Sequence, residues 1–369
     1  MAKLKKVLIM AGGTGGHVFP GLAVAKRLRS AGIEVHWMGT AKGLEAKLVP
    51  DAGIPLHFIT ISGVRGKSFK DVLMAPARLS LAVRQALSII RKLKPDVVLG
   101  MGGFVSGPGG IASWLLRCPL VIHEQNAKPG TTNKWLSRVA KKVLEGFPGT
   151  FLKRKNVETS GNPVRDEINQ LLAPEQRFSN HTLPLHLLVI GGSLGALAIN
   201  ELLPSALVKL PNPQLIQVWH QTGEKNFEQT IKAYKDVETL TEIKQNTLVV
   251  DVVPFIKEMD KAYAWADLVL CRAGALTVSE LCAAGLGAIF IPYPHAIDDH
   301  QTANANFMVR NKAALLVQQS DVTSGKLAKI LQEFIESPER CRAMAEAAYA
   351  LRQTDATDKV LTICEEICL

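Results

Sequence analysis

The sequence predicts an α/β protein built from two Rossmann-like domains, each a parallel sheet flanked by helices. Three observations carry this reading. Short apolar runs alternate with helical patterns along the 369 residues, which is the βαβα signature of a parallel sheet. Two of those runs, VLIMAGGTGG (7–16) and LLVIGGSLG (187–195), both read as strand, glycine loop and helix start, 180 residues apart. At about 150 residues per domain, the length also divides into two.

In the first half the strand candidates are KKVLIMAGG (5–13), EVHWMGT (34–40), DVVLGMGG (96–103) and PLVIHEQN (119–126). In the second half they are LHLLVIGGS (185–193), QLIQVWHQ (214–221), NTLVVDVV (246–253), ADLVLCRAG (266–274) and GAIFIPYP (287–294). The polar, turn-rich stretch 161–184 joins the halves, and an Ala-rich helical pattern runs on from Pro338. The longest uncharged window, Val97 to Leu116, has 20 residues, enough to span a bilayer on length alone. Its six Gly, one Pro and two Ser make it strand, glycine loop and helix start instead. The opening MAKLKKVLIMAGG has a basic start, but its apolar run is too short for a secretory signal.

Composition narrows the classes. Hydrophobic residues at 47% and charged residues at 21% exclude a disordered or fibrous chain. The six cysteines (118, 271, 282, 341, 364, 368) form no Cys-x-x-Cys pair. That excludes a zinc ribbon or thioredoxin-like site and reads as reduced cytosolic thiols. Residues 1–163 hold 25 Lys+Arg against 8 Asp+Glu, a formal +17, and the remainder 18 against 25, or −7. Such asymmetry points to an anionic partner for the first half. Between Arg65 and Lys94 lie eight basic residues and one acid, Asp71, interleaved with Val72, Leu73, Met74, Leu79, Leu81, Val83, Leu87, Ile89 and Ile90. This reads as a basic amphipathic helix pair suited to a membrane surface, with part of its apolar face in the core. No nucleic-acid motif or aromatic stacking platform accompanies the charge, so nucleic acid is not expected as a partner.

Glycine loops between a strand and a helix let backbone N–H groups approach phosphate oxygens. The first, Gly12 to Gly16, does not match a dinucleotide fingerprint: Val18 stands where the third Gly is needed, and the second strand ends at Gly39-Thr40 rather than an acid. Gly66-Lys67-Ser68 lacks the Gly five residues earlier that a P-loop needs. Gly191-Gly192-Ser193-Leu194-Gly195 fits a hydrolase nucleophile elbow, with Asp267 or Asp298 and His295 or His300 to complete a triad, and fits equally a repeat of the first loop. In Arg272–Glu280 a strand enters a short loop and a helix. Thr277 and Glu280 are either a capping box or the rim of a diphosphate and ribose site.

Seven blocks in order carry a resemblance: GGTGGHVFP (12–20), GMGGFVSGPGG (100–110), HEQN (123–126), GNPVR (161–165), WHQTG (219–223), AYAWADLVLCRAGALTVSE (262–280) and DDHQTANA (298–305). Together they resemble the MurG family, which transfers N-acetylglucosamine (GlcNAc) from UDP-GlcNAc to lipid I in peptidoglycan synthesis. The resemblance implies a GT-B glycosyltransferase fold, two Rossmann-like domains facing across a cleft. It implies an acceptor- and membrane-binding domain over 1–163, a UDP-sugar domain over 164–340, and a helical segment over 341–369 packing back onto the first. For UDP-GlcNAc it implies Ser193, Ile256 at the uracil, Ala275, Leu276, Thr277, Val278, Ser279, Glu280, Arg165 and Gln301, with Thr14, Gly15, Gly16 and Asn126 from the first domain. Gly13, Gly102 and Gly103 would meet the acceptor diphosphate. Departures from the family pattern are Leu194, where GGSQG is expected, Lys128 after HEQN, and Asp299-His300.

The implied reaction is inverting attack of the muramyl 4-hydroxyl on C1 of GlcNAc. The resemblance makes His17 the leading base and Glu124 the second candidate. On residues alone, His17 equally fits a helix start and Glu124 a loop-orienting carboxylate. The sequence has no Asp-x-Asp triplet, so we expect no metal and no cofactor, with the helix start after Gly274 and Arg165 or Arg272 taking the leaving charge. The expected partners are UDP-GlcNAc, lipid I and an anionic inner-membrane surface, with peripheral attachment at its cytoplasmic face.

Overall fold

The computed structural model describes residues 4–61, 74–151, 154–179, 183–192, 195–240 and 249–368. Ser193, Leu194 and the segment 62–73, with Arg65, Gly66-Lys67-Ser68, Lys70, Asp71, Val72 and Leu73 of the basic stretch, lie outside the described residues. In chain order the elements are β1 (Lys6–Met10), α1 (Gly15–Ser30), β2 (Glu34–Gly39), α2 (Glu45–Asp51), β3 (Leu56–Phe58), α3 (Ala75–Leu93), β4 (Val97–Gly100), α4 (Ser106–Leu115), β5 (Leu120–Glu124), α5 (Thr131–Leu136), β6 (Lys142–Glu145) and β7 (Val157–Thr159). There follow α6 (Asp166–Asn169), α7 (Pro174–Arg177), β8 (Leu185–Ile190), α8 (Leu197–Leu207), β9 (Ile216–Gln221), α9 (Phe227–Leu240), β10 (Val249–Val253), α10 (Met259–Trp265), β11 (Leu268–Cys271), α11 (Ala275–Ala284), β12 (Gly287–Phe290), α12 (His300–Val309), β13 (Ala314–Leu316), α13 (Ser324–Glu336), α14 (Glu339–Ala350) and α15 (Ala356–Glu366).

The chain forms two compact units, Met1–Arg165 with Gln353–Leu369, and Asp166–Arg352. The tail set out above as one segment from residue 341 is divided between them. Helix α14 belongs to the second unit, where it packs on α11 and β12, and α15 packs on α1 in the first. The reason is chemical: α14 buries Cys341, Met344, Ala345 and Ala348. Helix α15 buries Val360, Leu361, Ile363 and Cys364, and its Asp358 pairs with Arg27 of α1 at 2.6 Å.

In the first unit the sheet order is β3-β2-β1-β4-β5-β6-β7, and every pairing is parallel. Strand β1 shows why. Val7 and Ile9 join one core, with α1 and α15, while Leu8 and Met10 join another, with α3 and α4. A strand buried on both faces reads as an unbroken apolar run. In the second unit the order is β10-β9-β8-β11-β12-β13, again parallel. In each sheet the order reverses direction beside the strand that precedes a glycine loop, between β1 and β4 and between β8 and β11. Such switch points open a crevice at the carboxyl ends of the strands, where ligands of open α/β sheets bind. The uncharged window 97–116 is β4, its loop and α4. Among the described residues no helix is long and apolar enough to cross a membrane.

Candidate active site

In the first unit the loops after β1, β4 and β5 meet at the switch point. The loop after β1 is anchored by a residue the sequence reading passed over. Glu45 is fully buried and accepts hydrogen bonds from the Gly13 N–H (2.9 Å), the Thr40 N–H (2.9 Å) and the Thr40 hydroxyl (2.7 Å). The loop after β4 is held by Ser106, whose Oγ accepts from the Gly102 N–H at 3.1 Å and donates to the Gly102 carbonyl at 2.9 Å. Gly102 and Gly103 have φ of +102° and +80°. A Cβ at Gly102 would stand 2.5 Å from His17 Nδ1, and one at Gly103 would run into the Gly12 carbonyl. Both positions therefore need glycine, for backbone conformation and for close approach. Thr14, Gly13 and Gly16 are exposed and Gly15 is half-buried, so this loop presents its backbone outward.

His17 lies half-buried in the first turn of α1, and its Nδ1 is 3.1 Å from Gln125 Oε1. Glu124 is different. It is 2% exposed. One carboxylate oxygen accepts from the Asn126 N–H and side-chain amide at 3.1 Å each, and the other from the Gly130 N–H and Asn133 Nδ2 at 2.9 Å each. The carboxylate thus spends its acceptor positions on folding the 125–130 loop and seating α5. Asn126 is fixed by the same contacts. Gln125 and Asn133, the neighbours that complete this cluster, were not singled out by sequence. The only signal was their place in and just after HEQN.

In the second unit the expected donor residues lie on loops at the carboxyl ends of the strands. Helix α11 begins at Ala275, with Gly274 as its N-cap residue and no side-chain cap. Thr277 therefore sits within the first turn and forms no capping box. The first helical bond is Val278 N–H to Gly274 C=O, 3.0 Å, so the amides of Ala275, Leu276 and Thr277 precede the ladder, as at any anion-binding helix start. Ser279 donates back to the Ala275 carbonyl at 3.0 Å, and Val278 is buried in the core. Glu280 accepts from the hydroxyl of Tyr263, a fully buried ring of α10, at 2.9 Å. Ile256 is buried in the loop after β10, and Gln301 Oε1, in the first turn of α12, accepts from the Tyr293 N–H at 2.9 Å. Arg165, half-buried, ends the first unit's main segment.

Two residues singled out by sequence act structurally. Arg272 donates to the carbonyls of Ile291 (2.9 Å) and Pro292 (3.0 Å) and to Gln319 Oε1 (2.7 Å). It is thereby a strut that ties the loop after β11 to the loops after β12 and β13. Asp267, considered for a hydrolase triad, sits at the amino end of β11, where its carboxylate accepts from the His186 N–H at 2.7 Å. That is the opposite end of the sheet from Gly191 and Gly192, which follow the carboxyl end of β8. The WHQTG block is also structural. His220 is buried between Tyr234 and Asn200, and burial holds its pKa down at about 3. Gln221 donates to the Gly192 and Pro254 carbonyls and so ties two loops together.

The comparisons agree with this architecture. Residues 7–145 match the glycosyltransferase family 28 N-terminal domain and residues 186–360 the family's C-terminal domain. A UDP-N-acetylglucosamine–N-acetylmuramyl-(pentapeptide) pyrophosphoryl-undecaprenol N-acetylglucosamine transferase of Marinobacter nauticus is 50% identical over 362 residues, 98% of this chain and 97% of that protein. The protein of the same name from Methylococcus capsulatus is 49% identical over 365 residues, 98% of each chain. The crystal structure of Acinetobacter baumannii MurG superposes with a TM-score of 0.83 at 42% identity, covering 98% of this chain and 99% of that one.

Proposed function

The chain belongs to glycosyltransferase family 28, to its MurG members, and from that membership we propose that it transfers GlcNAc from UDP-GlcNAc to the muramyl sugar of lipid I, giving lipid II. The observation that carries this reading is the whole-length similarity to transferases of that name, at 46–50% identity. The test is transfer of labelled GlcNAc to a lipid I analogue.

In the proposed chemistry the muramyl 4-hydroxyl attacks C1 of GlcNAc from the face opposite UDP. The new O4–C1 bond forms as the bond from C1 to the β-phosphate oxygen breaks, and its electron pair leaves with UDP, so the anomeric centre inverts. His17 Nε2 takes the hydroxyl proton. Of the two carboxylate and imidazole candidates, His17 is favoured because the Glu124 carboxylate already accepts four N–H groups. We assign Gly13, Gly102 and Gly103 to the acceptor diphosphate, since the two loops they shape lie at the switch point, fixed there through the Gly13 and Gly102 N–H groups by Glu45 and Ser106. Thr14, Gly15, Gly16, Asn126, Arg165, Ser193, Ile256, Gln301 and 275–280 remain assigned to UDP-GlcNAc. The amides and dipole of α11 face the charge of the departing diphosphate. Glu280 accepts from the ribose hydroxyls, and Tyr263 fixes the rotamer that does so.

Tyr263→Phe should therefore raise the KM for UDP-GlcNAc about five-fold, the equivalent of one hydrogen bond of ~1 kcal/mol, with kcat unchanged. Steady-state kinetics against UDP-GlcNAc checks it. A change confined to kcat would remove Tyr263 from donor binding.

We further propose that the first unit rests on an anionic membrane surface. Met74, Leu79, Leu81, Phe104, Trp114, Leu115 and Trp135 are exposed on or beside α3, α4 and α5. Arg78 and Arg84 of α3 are exposed with them, and the Arg138 guanidinium lies 4.3 Å from the centre of the Trp135 ring. Large exposed apolar side chains among cations suit an interface with acidic headgroups, at about 1 kcal/mol per basic residue near the surface. Co-sedimentation with vesicles should rise with their content of acidic phospholipid and fall with added salt. Binding indifferent to both would remove the electrostatic attachment.

A further inference from the structure

We propose that Gln125 is a positioning residue for the transfer step: its side-chain oxygen holds His17 as the Nδ1–H tautomer, which leaves Nε2 as the ring nitrogen with the lone pair. The inference rests on the reading of His17 as the base and supplies what that reading lacks, namely which nitrogen acts and what keeps it free.

A chain of hydrogen-bond polarities fixes the Gln125 amide and closes at a main-chain carbonyl. Gln125 Nε2 is 2.9 Å from the Met101 carbonyl oxygen, which can only accept. That end of the amide must be the NH₂ group, because the flipped amide would set two acceptor oxygens against each other. The second Nε2 hydrogen points to His123 Nδ1 at 3.1 Å. His123 can accept there, since its Nε2 stands 2.8 Å from the Gly161 carbonyl and so carries the ring proton. Burial pushes the His123 pKa down to about 4, so this ring is neutral near neutral pH and keeps its lone pair on Nδ1. The Gln125 oxygen is then the end that faces His17 Nδ1, 3.1 Å away, and an oxygen there requires an N–H opposite it. The Gln125 backbone is pinned as well, its carbonyl accepting from Asn162 Nδ2 at 3.0 Å.

This arrangement persists whether His17 is neutral or protonated, because Nδ1 carries a proton in both states. Only Nε2 exchanges its proton, as a base that takes a hydroxyl proton and later returns it to solvent must do. The hydrogen bond at one imidazole nitrogen thus decides the chemistry of the other. Gly102 completes the seat. Its missing side chain, beside His17 Nδ1, lets the loop after β4 close over the ring edge that is not meant to react.

The test reads the tautomer directly. The full-length protein is labelled with ¹⁵N-histidine, and long-range ¹H–¹⁵N correlation spectra are recorded above the pH at which His17 protonates. His17 is assigned by its loss in His17→Gln. We expect the wild-type ring as Nδ1–H. In Gln125→Ala it should shift towards Nε2–H, with kcat down about 10- to 100-fold and the KM for UDP-GlcNAc within about two-fold of wild type. Gln125→Glu keeps an oxygen against Nδ1 and should retain the tautomer, but with a lowered Tm, because its second oxygen meets the Met101 carbonyl and His123 Nδ1, which both accept. A wild-type His17 found as Nε2–H overturns the proposal, as does a Gln125→Ala protein with unchanged tautomer and kcat. Where Gln125→Ala does not fold, the wild-type spectrum decides: His17 as Nδ1–H supports the proposal and His17 as Nε2–H overturns it. Full activity in His17→Ala would sink the base assignment by itself, while the tautomer spectrum would still report on Gln125, so the two failures are distinguishable.

Discussion

His17→Ala is expected to lower kcat by about 10²–10⁴-fold, the range of a positioned general base, while the KM for UDP-GlcNAc stays within about two-fold of wild type. The split follows from the geometry. His17 stands at the start of α1, beside the loops assigned to the acceptor diphosphate, and its ring makes a hydrogen bond to Gln125. Most residues assigned to the donor, those on α11 and α12, belong to the other unit, and the substitution leaves Thr14, Gly15, Gly16 and Asn126, the first unit's share, in place. Losing that hydrogen bond leaves the oxygen of the buried Gln125 without its partner, at a cost of about 1–3 kcal/mol, so the Tm should fall by no more than about 10 °C. Steady-state kinetics beside a melting curve checks both halves. A variant that keeps kcat within ten-fold of wild type would transfer the base role elsewhere.

Glu124→Ala is expected to do the reverse, with stability falling first and activity following it. Its carboxylate accepts four N–H groups from Asn126, Gly130 and Asn133. Hydrogen bonds to a charged acceptor contribute about 1.5–3 kcal/mol each, and donors left buried without a partner add to the loss. Allowing for partial access of water to Asn126 and Gly130, we expect a loss of about 2–4 kcal/mol, or roughly 5–15 °C in Tm. Glu124→Gln should be nearly as damaging, because an amide must turn its own NH₂ towards one of the two donor pairs. A pure base would behave differently. Glu124→Gln would then keep the wild-type Tm and lose only kcat. Calorimetry of the two variants beside wild type separates the roles.

The central strands β1, β4, β5, β8, β11 and β12 were legible because burial on both faces leaves no alternation to misread. All nine apolar runs became strands, from KKVLIMAGG as β1 to GAIFIPYP as β12. What escaped were β3, β6, β7 and β13, each of three or four residues. LHF and VET carry a polar residue amid so few that no period can be counted. Sheet position, not local pattern, makes them strands. At the site, glycine spacing located both loops, and the positive φ of Gly102 and Gly103 gives the physical reason for those residues. Glu45, Tyr263 and the polarity of Gln125 were not legible. Each acts through a partner distant in sequence, such as Gly13, 32 residues from Glu45, or His17, 108 residues from Gln125. The strut role of Arg272 escaped for a related reason: its partners, the carbonyls of Ile291 and Pro292 and the side chain of Gln319, lie 19 to 47 residues away.

The central claim is the transfer itself, and product analysis tests it most directly. Purified protein is incubated with UDP-GlcNAc, with and without a lipid I analogue, and both the lipid and the nucleotide are followed by mass spectrometry and NMR. The account predicts that the lipid gains one N-acetylhexosamine, β-linked at the muramyl 4-position, with UDP released in equal amount and only when the acceptor is present. UDP-GlcNAc consumed without any lipid acceptor, by hydrolysis or by epimerisation of the sugar, with no disaccharide formed in its presence, would contradict it.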